Sequence, residues 1–351
     1  MASSSRALNA ILPQIPVAPY EAHQKARTFA SRYVKSGQHD TAIDVLFQSA
    51  RELLKTGQPG SGVDLGGFML DVYDTKGETV TPESRGRVTQ LIALTGSEDT
   101  WRKTLIDKAI AWSAKHGDCP AGDPELNYYV GELLDKGAEF FYLRYWFENL
   151  TRKPEGSFDL AEPYLLAAGT RDSARLLAEM FLRWGASSST YGPFALRGVI
   201  PYLQNGNVLA AKAFIRHFVS GLPDSVLSNS AKIPAGDSDE VVMTSDSLIN
   251  FSQMAVLTCQ RAQGDKSKVP REAWVRLCGT YQSKGGPLVA PEVRRALTEI
   301  AQLYFAIPPP RNHAANPLGD MISSLFGGPA APTQPARRTL TPASGSGSGL
   351  D

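Results

Sequence analysis

At 351 residues, 42% of them hydrophobic, the chain is long enough to bury a substantial core and is composed like a globular or solenoid protein. A formal charge of +1 excludes nucleic-acid binding driven by overall charge and leaves only a local basic patch as a route to it. No apolar run approaches the roughly 20 residues that a membrane-spanning helix needs, and the widely separated Cys119, Cys259 and Cys278 suit buried free thiols in a reducing, cytosolic compartment.

The opening stretch MASSSRALNAILPQIPVAP makes a poor secretory signal, because it carries one arginine and an apolar patch broken by Pro13, Pro16 and Pro19. The prolines predict an extended lead-in over 1–19. From Tyr20 to Thr56 the pattern is that of two antiparallel helices with a tight turn. Ala22, Ala26, Phe29, Ala30 and Tyr33 recur at steps of three and four, the period that lines one helical face. Gly37 suits the left-handed residue that closes the first helix, and Asp40 is the expected cap of the second. The second helix then presents Ile43, Leu46, Phe47, Ala50, Leu53 and Leu54 as its apolar stripe. A pair this short cannot bury its stripe alone, so further pairs must stack on it.

Residues 57–62 (GQPGSG) read as a loop, followed by a helix from Asp64 to Asp74 through Leu65, Phe68, Met69, Val72 and Tyr73. Thr81-Pro82-Glu83 is a start signal, with a hydroxyl cap, a proline at the first helical position and an acid in the first turn. Val88, Leu91 and Ile92 continue that helix. Trp101, Leu105, Ala109 and Trp112 mark the next, which ends near Gly117. Asp123-Pro124-Glu125 repeats the start device, Tyr129, Val130, Leu133 and Leu134 follow, and Gly137 is expected to close the turn. Phe140 to Leu150 predicts a separate helix with aromatics all round. Segments 159–168 and 171–184 come next, with Thr170 or Asp172 as a cap, and Gly185 to Thr190 reads as a serine-rich connection. Phe194 to Leu203 and Asn207 to Val219 form a further pair, split by Gln204-Asn205-Gly206.

The pattern breaks at Pro223. Residues 223–240 lack periodicity, and Glu240 to Thr244 is short, apolar and β-branched enough to be a strand in an inserted loop. Helical spacing returns at Leu248, Phe251, Met254, Ala255 and Thr258, then at Trp274, Leu277 and Tyr281, and last at Val293, Leu297, Ile300 and Leu303. From Pro308 onward the proline, alanine, glycine and serine content predicts disorder. Within that tail, 317–328 keeps Leu318, Met321, Ile322 and Leu325 on one helical face. The expected fold is all-α, a right-handed α-solenoid of TPR-like helix pairs of about 34–47 residues with a short β-hairpin-like loop near 237–247. The expected divisions are the lead-in 1–19, helical halves 20–150 and 151–307 (the second including 223–247), and the tail 308–351.

No catalytic constellation can be assembled. The glycine-rich GSGVDLGG at 60–67 lacks a preceding strand and a following Gly-Lys-Ser or Gly-Lys-Thr, so it is a poor phosphate loop. His23, His39, His116, His217 and His313 never fall at metal-ligand spacing, and no Cys-x-x-Cys occurs. His39 and His116 sit beside predicted turns and are most simply solvated. Asn149-Leu150-Thr151 has the letters of a glycosylation acceptor and GSGSG at 345–349 those of a nucleophile elbow, neither in a supporting context. No enzyme activity, metal or cofactor is expected.

Certain runs nonetheless resemble a family. Tyr20-Glu21-Ala22-His23-Gln24, then Arg27, Arg32-Tyr33 and Ala42-Ile43-Asp44-Val45-Leu46, are similar to the cytosolic α-solenoid adaptor of the guided entry of tail-anchored proteins pathway, the smaller scaffold subunit of the transmembrane-domain recognition complex. Gly60-Ser61-Gly62 with Asp64-Leu65, Leu70 to Asp74, Asp123 to Leu126 and Ala168 to Ser173 resemble its later helices, so the likeness covers about 20–326. It implies a bridge and not an enzyme. By the resemblance, the first half holds the targeting ATPase through a face including Tyr20, Glu21, His23, Gln24, Arg27, Asp64, Asp71 and Asp74. The second half holds a ubiquitin-like adaptor, which recruits a co-chaperone, through Val241, Val242, Met243, Leu248, Phe251 and Met254. The resemblance carries no nucleic-acid partner and no direct insertion into a membrane. Read from the residues alone, a generic helical-repeat subunit of another cytosolic assembly fits as well. Given the resemblance, the loop is expected to be a lid whose apolar residues stay in water, with amides of 240–244 exchanging quickly, until a partner covers them. The alternative is that it packs back on its own solenoid, with those amides equally protected in the free and bound states.

Overall fold

The computed structural model describes residues 2–96, 100–148, 158–227, 231–236 and 239–309, with side chains placed for all but 2–3, 138–148 and 158–159. Two compact units divide the chain within its ninth helix, Met1–Leu176 and Leu177–Thr339. The tail from 310, with the segment 317–328 and the GSGSG run, lies outside the described residues, as does the Asn149 acceptor sequence.

The first unit opens with a correction to the sequence reading. The lead-in is helical: α1 spans Ala2–Ile11, followed by a 3-10 turn, Leu12–Gln14. Every proline falls after α1, and Pro13 and Pro19 stand at first-turn positions, where the missing N–H costs nothing. Ala7, Ile11 and Ile15 are buried, and α1 packs on α2 (Pro19–Lys35) and α3 (His39–Lys55). Gly37 takes φ +74° in the turn between α2 and α3, as its place requires. The cap of α3 is Gln38 without a side-chain bond; Asp40 sits inside the first turn and pairs with Lys76 at 2.6 Å.

The helix expected from Asp64 to Asp74 starts earlier, inside the expected loop 57–62: α4 spans Pro59–Lys76. Its glycines are packing surfaces. A Cβ at Gly62 would lie 2.5 Å from Leu54, so α3 approaches closer there than a Cβ allows; one at Gly66 would lie about 3.2 Å from Leu91 of α5 (Pro82–Leu94), a tight contact to which Leu91 would have to yield. Thr81 and Ser84 form the capping box that starts α5, and Asp123 caps α7 through the Leu126 N–H at 2.8 Å. Between them runs α6 (Thr100–His116), whose Trp112 ring lies 5.1 Å from Tyr73. α7 continues unbroken over Pro124–Glu148, so Gly137 does not end it: i→i−4 bonding tolerates a helical glycine at a cost of only about 1 kcal/mol. α8 (Phe158–Ala168) returns antiparallel to it, and Thr170 with Ser173 starts α9 (Arg171–Ser188), which runs through Gly185 into the expected connection.

The second unit continues with α10 (Gly192–Gln204), α11 (Val208–Ser220) and the single turn α12 (Asp224–Leu227). Two strands follow, β1 (Ala231–Pro234) and β2 (Glu240–Met243), antiparallel with Val241 opposite Ile233 and Met243 opposite Ala231. β2 is where the sequence placed it; β1, with one β-branched residue among its four, gave no such signal. Then come α13 (Ser247–Gln260), α14 (Lys268–Gln282), a 3-10 turn and α15 (Pro291–Phe305). Phe181, Tyr202, Phe214 and Phe218 are fully buried and form an aromatic centre, with the Phe181 and Phe214 rings edge-on at 6.0 Å. Each unit is thus a stack of helix pairs, all-α apart from the hairpin among the described residues.

Candidate functional site

In the first unit, α4 lies between α2 and α6, and its acids form the centre of a charged face. Asp64, Asp71 and Asp74 fall seven and three residues apart, on one side of the helix. The Asp64 carboxylate takes His23 Nε2 from α2 at 2.7 Å and an Arg27 Nη1 bond from the same helix. An ionised carboxylate only accepts, so the His23 proton resides on Nε2. Asp71 accepts from Lys108 of α6 at 3.0 Å, and Asp74 from Lys115 at 2.5 Å and from His116 at 2.7 Å. His116 is therefore a hydrogen-bond partner of Asp74 held largely out of water, not the solvated turn residue that its position suggests. Arg27 also lies over the Phe68 ring, 5.6 Å from its centroid.

Of the residues expected on this face, Tyr20 stands 70% exposed, with Gln24 and Arg27 also exposed along the same line of α2. His23 is turned inward and buried, with its ring 6.5 Å from Tyr20. Glu21 is exposed but points about 100° round the helix from Tyr20. Sequence reasoning missed the α6 side. Trp101, Lys108 and Lys115 recur every seven residues, the spacing of Asp64 and Asp71, and that shared interval was the available signal. In the sequence Trp101 serves only as a marker of this helix, with Leu105, Ala109 and Trp112. It is 43% exposed at the end of α6, against Gly60, and closes a cleft of about 240 Å³ with Arg27, Asp64, Phe68, Asp71 and Lys108.

Burial alone would raise the Asp64 pKa, but hydrogen bonds from Arg27 and His23 outweigh it and hold the carboxyl below its ordinary 3.8. The bond from Lys115, then that from His116, does the same for Asp74. A folded-state pKa below the unfolded one means stability that is fully present above about pH 3.8 and lost as pH falls through the lower folded value. Asp64→Asn should therefore flatten the acid limb of the stability curve below pH 4, modestly, because the pair is partly solvated. Coincident acid limbs for variant and parent, measured by denaturant titration, would show that the pairing contributes nothing.

The hairpin of the second unit does not float in solvent. Val241 is buried, and Val242 and Met243 are half-buried. Two amide side chains of α13 bind its backbone like a neighbouring strand. Gln253 accepts from the Val242 N–H at 3.0 Å and donates to the Val242 carbonyl at 2.8 Å. Asn250 accepts from the Thr244 N–H at 2.8 Å and donates to its carbonyl at 2.7 Å. Asp239 at the loop end pairs with Lys212 and Arg216 of α11, each at 2.9 Å, and chiefly the Lys212 hydrogen bond lowers its pKa. The expectation of a solvated lid is therefore overturned: the hairpin is seated on α11 and α13 of its own unit. Val241 is buried at the inner edge of the hairpin, and Phe251 is an interior residue, 1% exposed against Tyr281. Leu248 and Met254 stay half-exposed.

Strand alternation sends neighbouring side chains of β2 to opposite clefts. Val242 lines one of about 520 Å³ with Ile215, Val219, Leu227 and Val256. Val241 and Met243 line another of about 510 Å³ with Met254, Leu257 and Leu277. Among the described residues no cluster of His, Cys, Asp and Glu is fit to hold a metal ion, and no helix is long and apolar enough to cross a membrane.

A family model described as Golgi to ER traffic protein 4 matches residues 36–326. The Golgi to ER traffic protein 4 of Schizosaccharomyces pombe is 30% identical over 90% of this chain and 93% of its own length. That of Aspergillus fumigatus is 33% identical over 88% and 86%, and the Homo sapiens homolog 24% over 88% and 82%. A crystal structure of C. therm. Get4 superposes with a TM-score of 0.74 at 32% identity, covering 93% of this chain and 96% of that one.

Proposed function

Because the chain belongs to the Golgi to ER traffic protein 4 family, we propose that it is a non-enzymatic scaffold in the delivery of tail-anchored membrane proteins to the ER. In this reading its first unit engages the targeting ATPase, and its second engages a ubiquitin-like adaptor that brings a co-chaperone. The observation that carries it is the α2–α4–α6 face. Acids at regular positions along α4, each tied to a cation from a neighbouring helix, give a patterned polar surface. Such a surface sets register and on-rate, while the projecting Tyr20 is the kind of rigid aromatic that anchors affinity. On the second unit, the half-exposed Val242, Met243, Leu248 and Met254 offer the apolar contact for the adaptor.

The test is binding of the purified targeting ATPase to the chain carrying Tyr20→Ala with Arg27→Glu. Arg27→Glu also places a second carboxylate beside Asp64, reversing the local charge. The loss expected is at least about 2 kcal/mol, more than tenfold in Kd, with a single cooperative melting transition only modestly lowered by the lost Arg27–Asp64 pair and adaptor binding unchanged. Undiminished ATPase binding by the double variant would remove this face from the interface. Recovery of neither partner from a cytosolic extract would favour a scaffold in a different assembly.

A further inference from the structure

The described chain ends at Pro309, and its point of departure is fixed. The Tyr304 carbonyl accepts from the Gly264 N–H at 3.1 Å, and Phe305 stacks on Trp274 at 5.2 Å. The chain therefore leaves α15 beside the turn that joins α13 to α14. Arg261, at the start of that turn, lines the 510 Å³ cleft together with Arg276, and no carboxylate lines it. The cleft is a half-open apolar trough with two exposed cations at its edge.

Beyond the described residues lies 317–328, PLGDMISSLFGG. Leu318, Met321, Ile322 and Leu325 fall at i, i+3, i+4 and i+7, the spacing of a helix that lays one face in a groove. Its single charge is Asp320, opposite in sign to the cleft's edge. The connecting residues 310–316 can span up to about 25 Å when extended. The match to the family model runs to residue 326, so family likeness continues across this segment and does not stop at α15. A helix this short is marginal by itself in water, and a docking surface on the same chain supplies both the burial and a high effective concentration.

We propose that residues 317–328 dock in cis in the cleft between the hairpin, α13 and α14. Their apolar face covers Met243, Met254 and Leu277, and Asp320 pairs with Arg276. Met243 and Met254 also belong to the surface assigned above to the adaptor, so segment and adaptor would exclude one another. That consequence rests on the adaptor reading; the docking itself does not.

The experiment uses the full chain alone, so that its outcome is independent of the adaptor. Phe326→p-benzoylphenylalanine, photoactivated, should give adducts within one chain to peptides of 254–281, in a yield that does not change with protein concentration. Leu318→Ser with Ile322→Ser should raise the rate at which dilute hydrogen peroxide oxidises Met243 and Met254 several-fold. Asp320→Arg should do likewise, and Arg276→Asp should restore protection to the Asp320→Arg chain. Adducts formed only between chains would make a second copy the occupant and overturn the proposal. So would adducts elsewhere on the chain, or oxidation rates unmoved by the paired serine substitutions.

Discussion

Leu46→Ala is expected to lower unfolding free energy by about 2–5 kcal/mol. Leu46 is fully buried in α3, the helix on which α1, α2, α4 and α5 all pack, so a cavity there opens between several elements at once. The glycines of α4 sharpen the effect. With no side chain at Gly62, the backbone of α4 already lies against Leu54, leaving little freedom to collapse into the void. The measurement is a denaturant titration in which the midpoint falls and the slope stays constant. Leu209→Ala, at a site 62% exposed on α11, is the control and should move stability by no more than about 0.5 kcal/mol. If Leu46→Ala behaves like the control, the stripe of α3 is not the shielded one.

Much of this fold was legible because each apolar stripe of the first unit repeats at helical period and each start device is local. Thr81 with Pro82, Asp123 with Pro124, and Thr170 carry their function within four residues, so a one-dimensional reading finds them. What escaped was decided by approach between helices. Glycines at 60 and 62 read as part of a loop over 57–62 because intrinsic propensity disfavours them in helices; the closeness of Leu54 shows why Gly62 suits the helix there. The prolines of the opening stretch were taken to forbid helix, although proline constrains the residues before it and tolerates a helix beginning at it. The α2 side of the charged face was readable from the opening run, whereas Trp101, Lys108 and Lys115 belong to it only because α6 packs beside α4. His23 was read as a surface residue since its neighbours are, and its burial depends on Asp64, 41 residues away. The hairpin failed for a similar reason. Apolar residues in a polar loop suggested a surface waiting for a partner, and the partners proved to be Gln253 and Asn250 of the helix that follows.

That latch gives the other large effect. Asn250→Ala combined with Gln253→Ala removes the acceptors for the Val242 and Thr244 N–H groups and the donors to both carbonyls. Thr244 is buried, so water cannot replace its two bonds while the hairpin stays seated, whereas those of the half-buried Val242 are only partly shielded. Each peptide group left unpaired costs about 1–3 kcal/mol, enough together to release the hairpin from α13. Hydrogen exchange reads this directly. The amides of Val242 and Thr244 should be protected in the parent chain and exchange at rates typical of open loops in the double variant, while amides in the first unit are unmoved. A finer substitution separates a latch from simple loss of packing. Asn250→Asp keeps an oxygen for the Thr244 N–H but turns the second oxygen toward the Thr244 carbonyl, where the amide had donated. Two acceptors then face each other in a buried place, and release should be nearly as complete as with alanine despite the conserved volume. Protection retained at Thr244 in Asn250→Asp would mean that the shape of the side chain, and not its hydrogen bonding, holds that end of the hairpin down.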